Sequence, residues 1–177
     1  MKRTNSPVPL PEILLIEEDE NVLGTKFFLM QYMNGIVYRK PALPDQSAAE
    51  RAVIYDGLAA CLAAIHNTPV DVVTGIVSAV SGGSAGFCRR QVDIWSRQYA
   101  LSAQAVSHLP PMQRLEDWLK QNIPYANDHA ASPLLSVVHG DFRLDNVIYG
   151  NTGPQAVLDW ELGGMGDGTM DLAYCCL

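Results

Sequence analysis

Two short apolar runs open the chain, each too brief for a helix and separated by a polar turn. Ile13-Leu14-Leu15-Ile16 lies between Glu12 and Glu17, Asp19-Glu20-Asn21 reverses the direction, and Lys26 to Met33 supplies the second run. The pair predicts a β-hairpin, ended by Asn34-Gly35. From Ser47 the period changes. Ser47-x-x-Glu50 has the reciprocal spacing of a capping box. Val53, Ile54, Leu58, Cys61, Leu62 and Ile65 then recur at helical spacing, giving one apolar face that runs to about His66. A Gly/Ser-rich stretch from Ser81 to Gly86 separates a second helical segment, Phe87 to Ala103. Pro110-Pro111 introduces a third, with Met112, Leu115, Trp118 and Leu119 on one face and Pro124 beyond its end. Ser136 to Val138, Val147 to Tyr149 and Ala156 to Leu158 read as short strands, the last two joined by a turn at Asn151-Thr152-Gly153.

Composition narrows the class. At 177 residues the chain is long enough to bury a core as one domain. A hydrophobic share of 48% and a charged share of 18% are those of a globular protein. The net charge of −7 argues against nucleic acid as a partner, because neutralising phosphates takes clustered Lys and Arg. Basic residues form no cluster beyond adjacent pairs such as Arg89-Arg90. Cys61, Cys88, Cys175 and Cys176 show neither C-x-x-C spacing nor a disulfide framework, so they read as thiols in a reducing compartment. No apolar run is long enough for a signal peptide or a membrane span. The expected location is the cytoplasm.

The polar chemistry concentrates late in the chain. His139-Gly140-Asp141-Phe142-Arg143-Leu144-Asp145-Asn146 is followed, after a hydrophobic strand, by Asp159 in Val157-Leu158-Asp159-Trp160. Asp-x-x-x-x-Asn is the spacing of a kinase catalytic loop, with Gly140 where protein kinases carry Arg. In that chemistry one Asp accepts or orients the proton of the acceptor hydroxyl, and the Asn and a second Asp hold magnesium against the nucleotide phosphates. Asp141 is thus the candidate catalytic carboxylate. Asn146 and Asp159, 13 residues apart across a strand–turn–strand, are the candidate ligands for Mg2+, being hard oxygen donors. Arg143 either neutralises charge on the transferring phosphoryl group or pairs with Asp145 or Glu161. Asp167 reads as an N-cap or turn residue, and His66 as a satisfied core histidine.

These residues, with Leu158-Asp159-Trp160-Glu161 and Gly166-Asp167-x-x-x-Asp171-Leu172-Ala173-Tyr174, resemble the aminoglycoside phosphotransferase family. The Phe142-Arg143-Leu144-Asp145 filling and the Asp-Trp-Glu triplet are similar to its branch found beside, or fused to, acyl-CoA dehydrogenases. The resemblance implies an α+β, protein-kinase-like fold, present in part. Residues 1–35 are expected to be a remnant of N-terminal-lobe strands and the hinge. Residues 36–177 are expected to form a helical C-terminal lobe with a small catalytic β-hairpin, incomplete at its C-terminus. It further implies ATP and Mg2+ as cofactors and adenine contacts from the hinge backbone at Gln31, Tyr32 and Met33. His139 and Asp171 are implied as structural supports of the catalytic loop. The implied acceptor is a small-molecule hydroxyl, a hydroxyacyl compound in preference to an aminoglycoside, and an acyl-CoA dehydrogenase is the implied partner or fusion.

The family's phosphate-covering loop and its Lys are not found in this sequence: Gly-x-Gly-x-x-Gly is absent, and Lys26 and Lys40 lack a Val-Ala-Ile-Lys-like setting. The expectation is therefore a small-molecule kinase that is inactive as these 177 residues alone. A non-catalytic kinase-like remnant or interaction module is the alternative from another class. A third reading is a serine hydrolase, since Gly82-Gly83-Ser84-Ala85-Gly86 matches the G-x-S-x-G elbow and Asp117 and His139 follow in order.

Overall fold

The computed structural model describes residues 7–69, 83–123 and 135–177. Strands β1 (Ile13–Glu17) and β2 (Phe27–Met30) pair antiparallel, with Glu17 opposite Phe27 and Ile13 opposite Met30. Their connection is locked locally. The Asp19 carboxylate accepts from the Asn21 backbone N–H at 2.9 Å and from its side-chain amide at 2.7 Å, and Gly24 takes a φ of +83°. β2 ends before the expected hinge. Gln31 and Tyr32 are exposed rather than buried in a strand, and Gln31 N–H donates to the Glu12 carbonyl at 2.8 Å.

Helix α1 (Ala48–His66) starts at the capping box: Ser47 Oγ accepts from Glu50 N–H, and the Glu50 carboxylate accepts from Ser47 N–H at 2.8 Å. Its buried stripe is Ile54, Leu58, Cys61, Leu62 and Ile65. Val53, expected on that face, is 68% exposed. One residue is a turn of about 100°, so position 53 falls off a stripe that runs through 54, 58, 61, 62 and 65.

Helix α2 (Gly83–Val106) extends the expected segment at both ends, and α3 (Pro110–Gln121) begins at the two prolines. Helix α3 has no buried residue. Met112, Leu115 and Leu119 instead line an open groove with Val92, Trp95 and Tyr99 of α2.

The remaining strands form two ribbons. β3 (Leu135–Val138) pairs antiparallel with β6 (Gly164–Asp167), and β4 (Val147–Gly150) with β5 (Gly153–Val157). Sequence reading misses β6, because Gly164-Met165-Gly166-Asp167 has no alternation. Its glycine is needed where it lies: a Cβ on Gly166 would come 2.5 Å from the Phe87 ring of α2. Ile36 bridges Tyr149 on the free side of β4, with N···O distances of 2.7 and 2.9 Å. Gly35 permits this approach, since a Cβ there would meet Ile148 Cγ2 and the Tyr149 carbonyl at 2.5 Å.

One core joins these parts. Ile54, Leu58, Leu62 and Ile65 of α1 pack with Phe142, Leu144, Val147, Tyr149 and Val157, with Leu43 filling the space between. Val8 belongs to the same core, and the Pro9 carbonyl accepts from Val157 N–H at 2.9 Å. The first described residues thus pack on the β4–β5 ribbon.

Candidate active site

β3 delivers His139 into a fully buried position, and the chain then turns at Gly140 with φ +86°. That φ is in the left-handed region, and a Cβ on Gly140 would run into the Leu162 carbonyl and lie 2.8 Å from Leu162 Cβ. Both facts demand glycine where protein kinases have Arg. The backbone donors of this turn go to Asp171 of α4 (Thr169–Cys175). Fully buried, its carboxylate accepts from His139 N–H and Gly140 N–H, each at 2.8 Å.

The His139 ring is a strut. Its Nε2 lies 2.8 Å from the Leu158 carbonyl, so it carries the hydrogen, and Nδ1 accepts from Asp141 N–H at 3.3 Å. The ring packs on Trp160 with centroids 4.6 Å apart and meets Phe142 edge-on at 5.8 Å. With both nitrogens engaged, His139 has none left to activate Ser84, which sits in the first turn of α2. Asp117 lies on α3, where it accepts from the Gln113 amide at 3.1 Å. The residues before Gly83 in the suspected elbow lie outside the described residues.

Asp141 and Asn146 touch. Asn146, buried in the short 3-10 turn Leu144–Asn146, donates through Nδ2 to the Asp141 carbonyl at 2.8 Å and to Asp141 Oδ2 at 3.1 Å. The amide nitrogen is therefore committed, and the amide oxygen is the atom with which Asn146 could bind a cation. Arg143 Nε stands 3.3 Å from Asp141 Oδ1 and 3.4 Å from Asp145 Oδ1, so its partners are Asp141 and Asp145. It bridges two of the loop's carboxylates.

Asp159 leaves the same end of the β4–β5 ribbon, because Leu158 N–H donates to the Asn146 carbonyl at 2.8 Å. It is exposed and has a φ of +65°, a left-handed conformation that costs a non-glycine residue about 1 kcal/mol. Among the described residues no three His, Cys, Asp or Glu side chains cluster as a self-sufficient metal cage. Magnesium does not need one. It binds through one or two protein oxygens and completes its shell with substrate phosphates and water. The oxygen donors at this end of the ribbon fit that pattern.

Gln31, Tyr32 and Met33, expected at a hinge, lie between β2 and Ile36, whose bridge to Tyr149 ties them to the β4–β5 ribbon. Asp167 is buried and accepts from Thr169 N–H at 3.0 Å and Thr169 Oγ1 at 2.6 Å, a turn that opens α4. His66 has a partner that sequence reasoning did not find. Its Nε2 lies 3.1 Å from Asp171 Oδ2, across 105 residues of chain. No periodicity or spacing signals a contact of that range.

The phosphotransferase enzyme family matches residues 3–177. Mouse acyl-CoA dehydrogenase family member 10 is 39% identical over 176 residues, which are 98% of this chain and 15% of that protein. A Ralstonia eutropha crystal structure, provisionally named an aminoglycoside phosphotransferase, is 36% identical with a TM-score of 0.80. The match covers 97% of this chain and 50% of that one. The ternary complex of streptomycin, ATP and APH(2'')-IIa is 17% identical with a TM-score of 0.63, over 96% of this chain and 54% of that one, a likeness of fold. The chain thus spans about half the length of these solved structures and a smaller share of the dehydrogenase-family relative. With that match over almost its whole length, and with a kinase-like architecture shared with solved relatives, the chain belongs to the phosphotransferase enzyme family.

Proposed function

We propose that the protein to which this chain belongs transfers the γ-phosphoryl group of ATP to a hydroxyl of a small molecule, with Asp141 as the catalytic carboxylate. One observation carries the reading. Asp141 and Asn146 are in direct contact on a loop anchored by Asp171, at the ribbon end from which Asp159 also leaves. That is an arrangement of acid, amide and second acid suited to positioning an acceptor beside a Mg-bound phosphate.

In this reading Asp141 takes the proton of the acceptor hydroxyl as its oxygen bonds to the γ-phosphorus. The bond from phosphorus to the bridging oxygen breaks, and ADP leaves with that electron pair. Asn146, through its amide oxygen, and Asp159 would hold Mg2+, which supplies charge neutralisation on the phosphates. Arg143, which pairs with Asp141, would offset charge developing on the transferring group through its guanidinium. The hinge backbone from Gln31 to Met33 binds the adenine edge. The acyl-CoA dehydrogenase name of the relative supports a hydroxyacyl compound as acceptor, and a dehydrogenase as partner or fusion.

Thermal unfolding with and without Mg-ATP tests the nucleotide half of the reading. Binding to the folded state raises the transition by mass action, by about 2.7 kcal/mol at a ligand concentration 100 times Kd. Asp159→Ala is expected to abolish the shift. Asp141→Asn is expected to keep it, and in the full-length protein to lose most turnover. Full activity in Asp141→Asn would remove Asp141 from the role of base.

A further inference from the structure

We infer that His66, the last residue of α1, is a positioning residue for the catalytic loop, acting through Asp171; the consequence for catalysis rests on the function proposed above. The Asp171 carboxylate is fully buried, and its partners are unequal in kind. Oδ1 accepts from Gly140 N–H at 2.8 Å. Oδ2 accepts from His139 N–H at 2.8 Å and from the His66 ring at 3.1 Å. An ionised carboxylate only accepts, so His66 Nε2 must carry a hydrogen. His66 is therefore the one side chain among these three donors. The other two belong to the loop that Asp171 has to hold.

The two loop N–H groups cannot fix the carboxylate by themselves, because they belong to the segment that it has to hold. The imidazole, carried by the end of α1, is the contact that ties Oδ2 to a separate element. Without it Oδ2 keeps a single donor, and a buried acceptor is left short of a partner. The side chain can then turn within its site and the loop shifts with it, carrying Asp141, since Asp141 N–H is bound to the ring of His139.

The surroundings are shaped to admit the ring. Gly168 lies against it: a Cβ there would come 3.0 Å from both Cε1 and Nδ1 of His66 and 2.9 Å from Ser136 Oγ. A methyl group there would crowd the ring where it reaches Asp171 between α4 and β3. Three elements therefore meet on one carboxylate: the end of α1, the loop after β3, and α4.

The test is amide hydrogen exchange on the intact protein, read at individual residues. His66→Ala is expected to speed exchange at His139 and Gly140 at least tenfold, with the β4–β5 amides unchanged. His66→Gln, which still offers an N–H at similar reach, is expected to restore most of the protection. Gly168→Ala, which leaves His66 present but obstructed, is expected to behave like His66→Ala. Unchanged exchange at His139 and Gly140, or equal acceleration at every amide, would overturn the assignment. Turnover of Mg-ATP gives the second readout: a tenfold lower kcat in His66→Ala with KM for ATP within twofold. An inactive wild type would count against the proposed function, while the exchange pattern would still decide the role of His66.

Discussion

Glycine at position 140 carries two demands that can be separated by substitution. Its φ of +86° is strained for any side chain, and its Cβ direction is filled by the Leu162 backbone. Gly153 has a φ of +121° but open space around it. Gly153→Ala should therefore cost the backbone strain alone, about 1 kcal/mol, whereas Gly140→Ala should cost about 3 kcal/mol or more. Urea denaturation of the two variants checks the difference, and equal losses would mean that Leu162 yields freely. The same residue shows what was legible. Asp141 and Asn146 could be paired from sequence because five positions separate them and a short turn brings them together. His66 and Asp171 could not, because nothing in either residue's neighbourhood encodes a partner on a distant element.

Elements were legible wherever their stabilisation is local. The start of α1 was readable because Ser47 and Glu50 satisfy each other's backbone donors within one turn. Ser47→Ala is expected to cost about 1 kcal/mol. It should also flatten part of the acid dependence. Hydrogen bonds from Ser47, first its side chain and then its backbone, lower the Glu50 pKa from 4.5 in the folded chain. A lowered carboxylate pKa gives stability that is present above the unfolded value and lost as pH falls through the folded one. The variant's stability should therefore change less than wild type below about pH 4.5, as followed by circular dichroism. β6 was illegible for the opposite reason. It is a strand because β3 lies beside it and Phe87 packs over Gly166, and neither neighbour leaves a mark on Gly164-Met165-Gly166-Asp167.

At the scale of the molecule, burial is concentrated around α1 and the β4–β5 ribbon. The apolar face of α3 stays open: Leu115 and Trp118 are 47% and 58% exposed. Periodicity reports that a helix has an apolar side, not that something covers it. Trp118→Gln should accordingly change the stability of this chain by no more than about 0.5 kcal/mol. Leu58→Ala, in the buried stripe of α1, should cost about 3 kcal/mol. Chemical denaturation of both variants measures the contrast, and a large loss in Trp118→Gln would show that α3 is covered in solution.

The three donors on Asp171 also set an order of events during folding. The β4–β5 ribbon closes over a two-residue turn between Gly150 and Gly153, so its pairing waits on no long loop. The turn at His139 and Gly140 has no such independence. Its anchor lies 32 and 31 residues away from His139 and Gly140, and 105 from His66. Loops of that length close late, after the contacts that shorten them have formed. A refolding chain should therefore pass through a stage in which the ribbon is protected from exchange and the amides of His139 and Gly140 are not. During synthesis the loop remains without its anchor until α4 has emerged and docked.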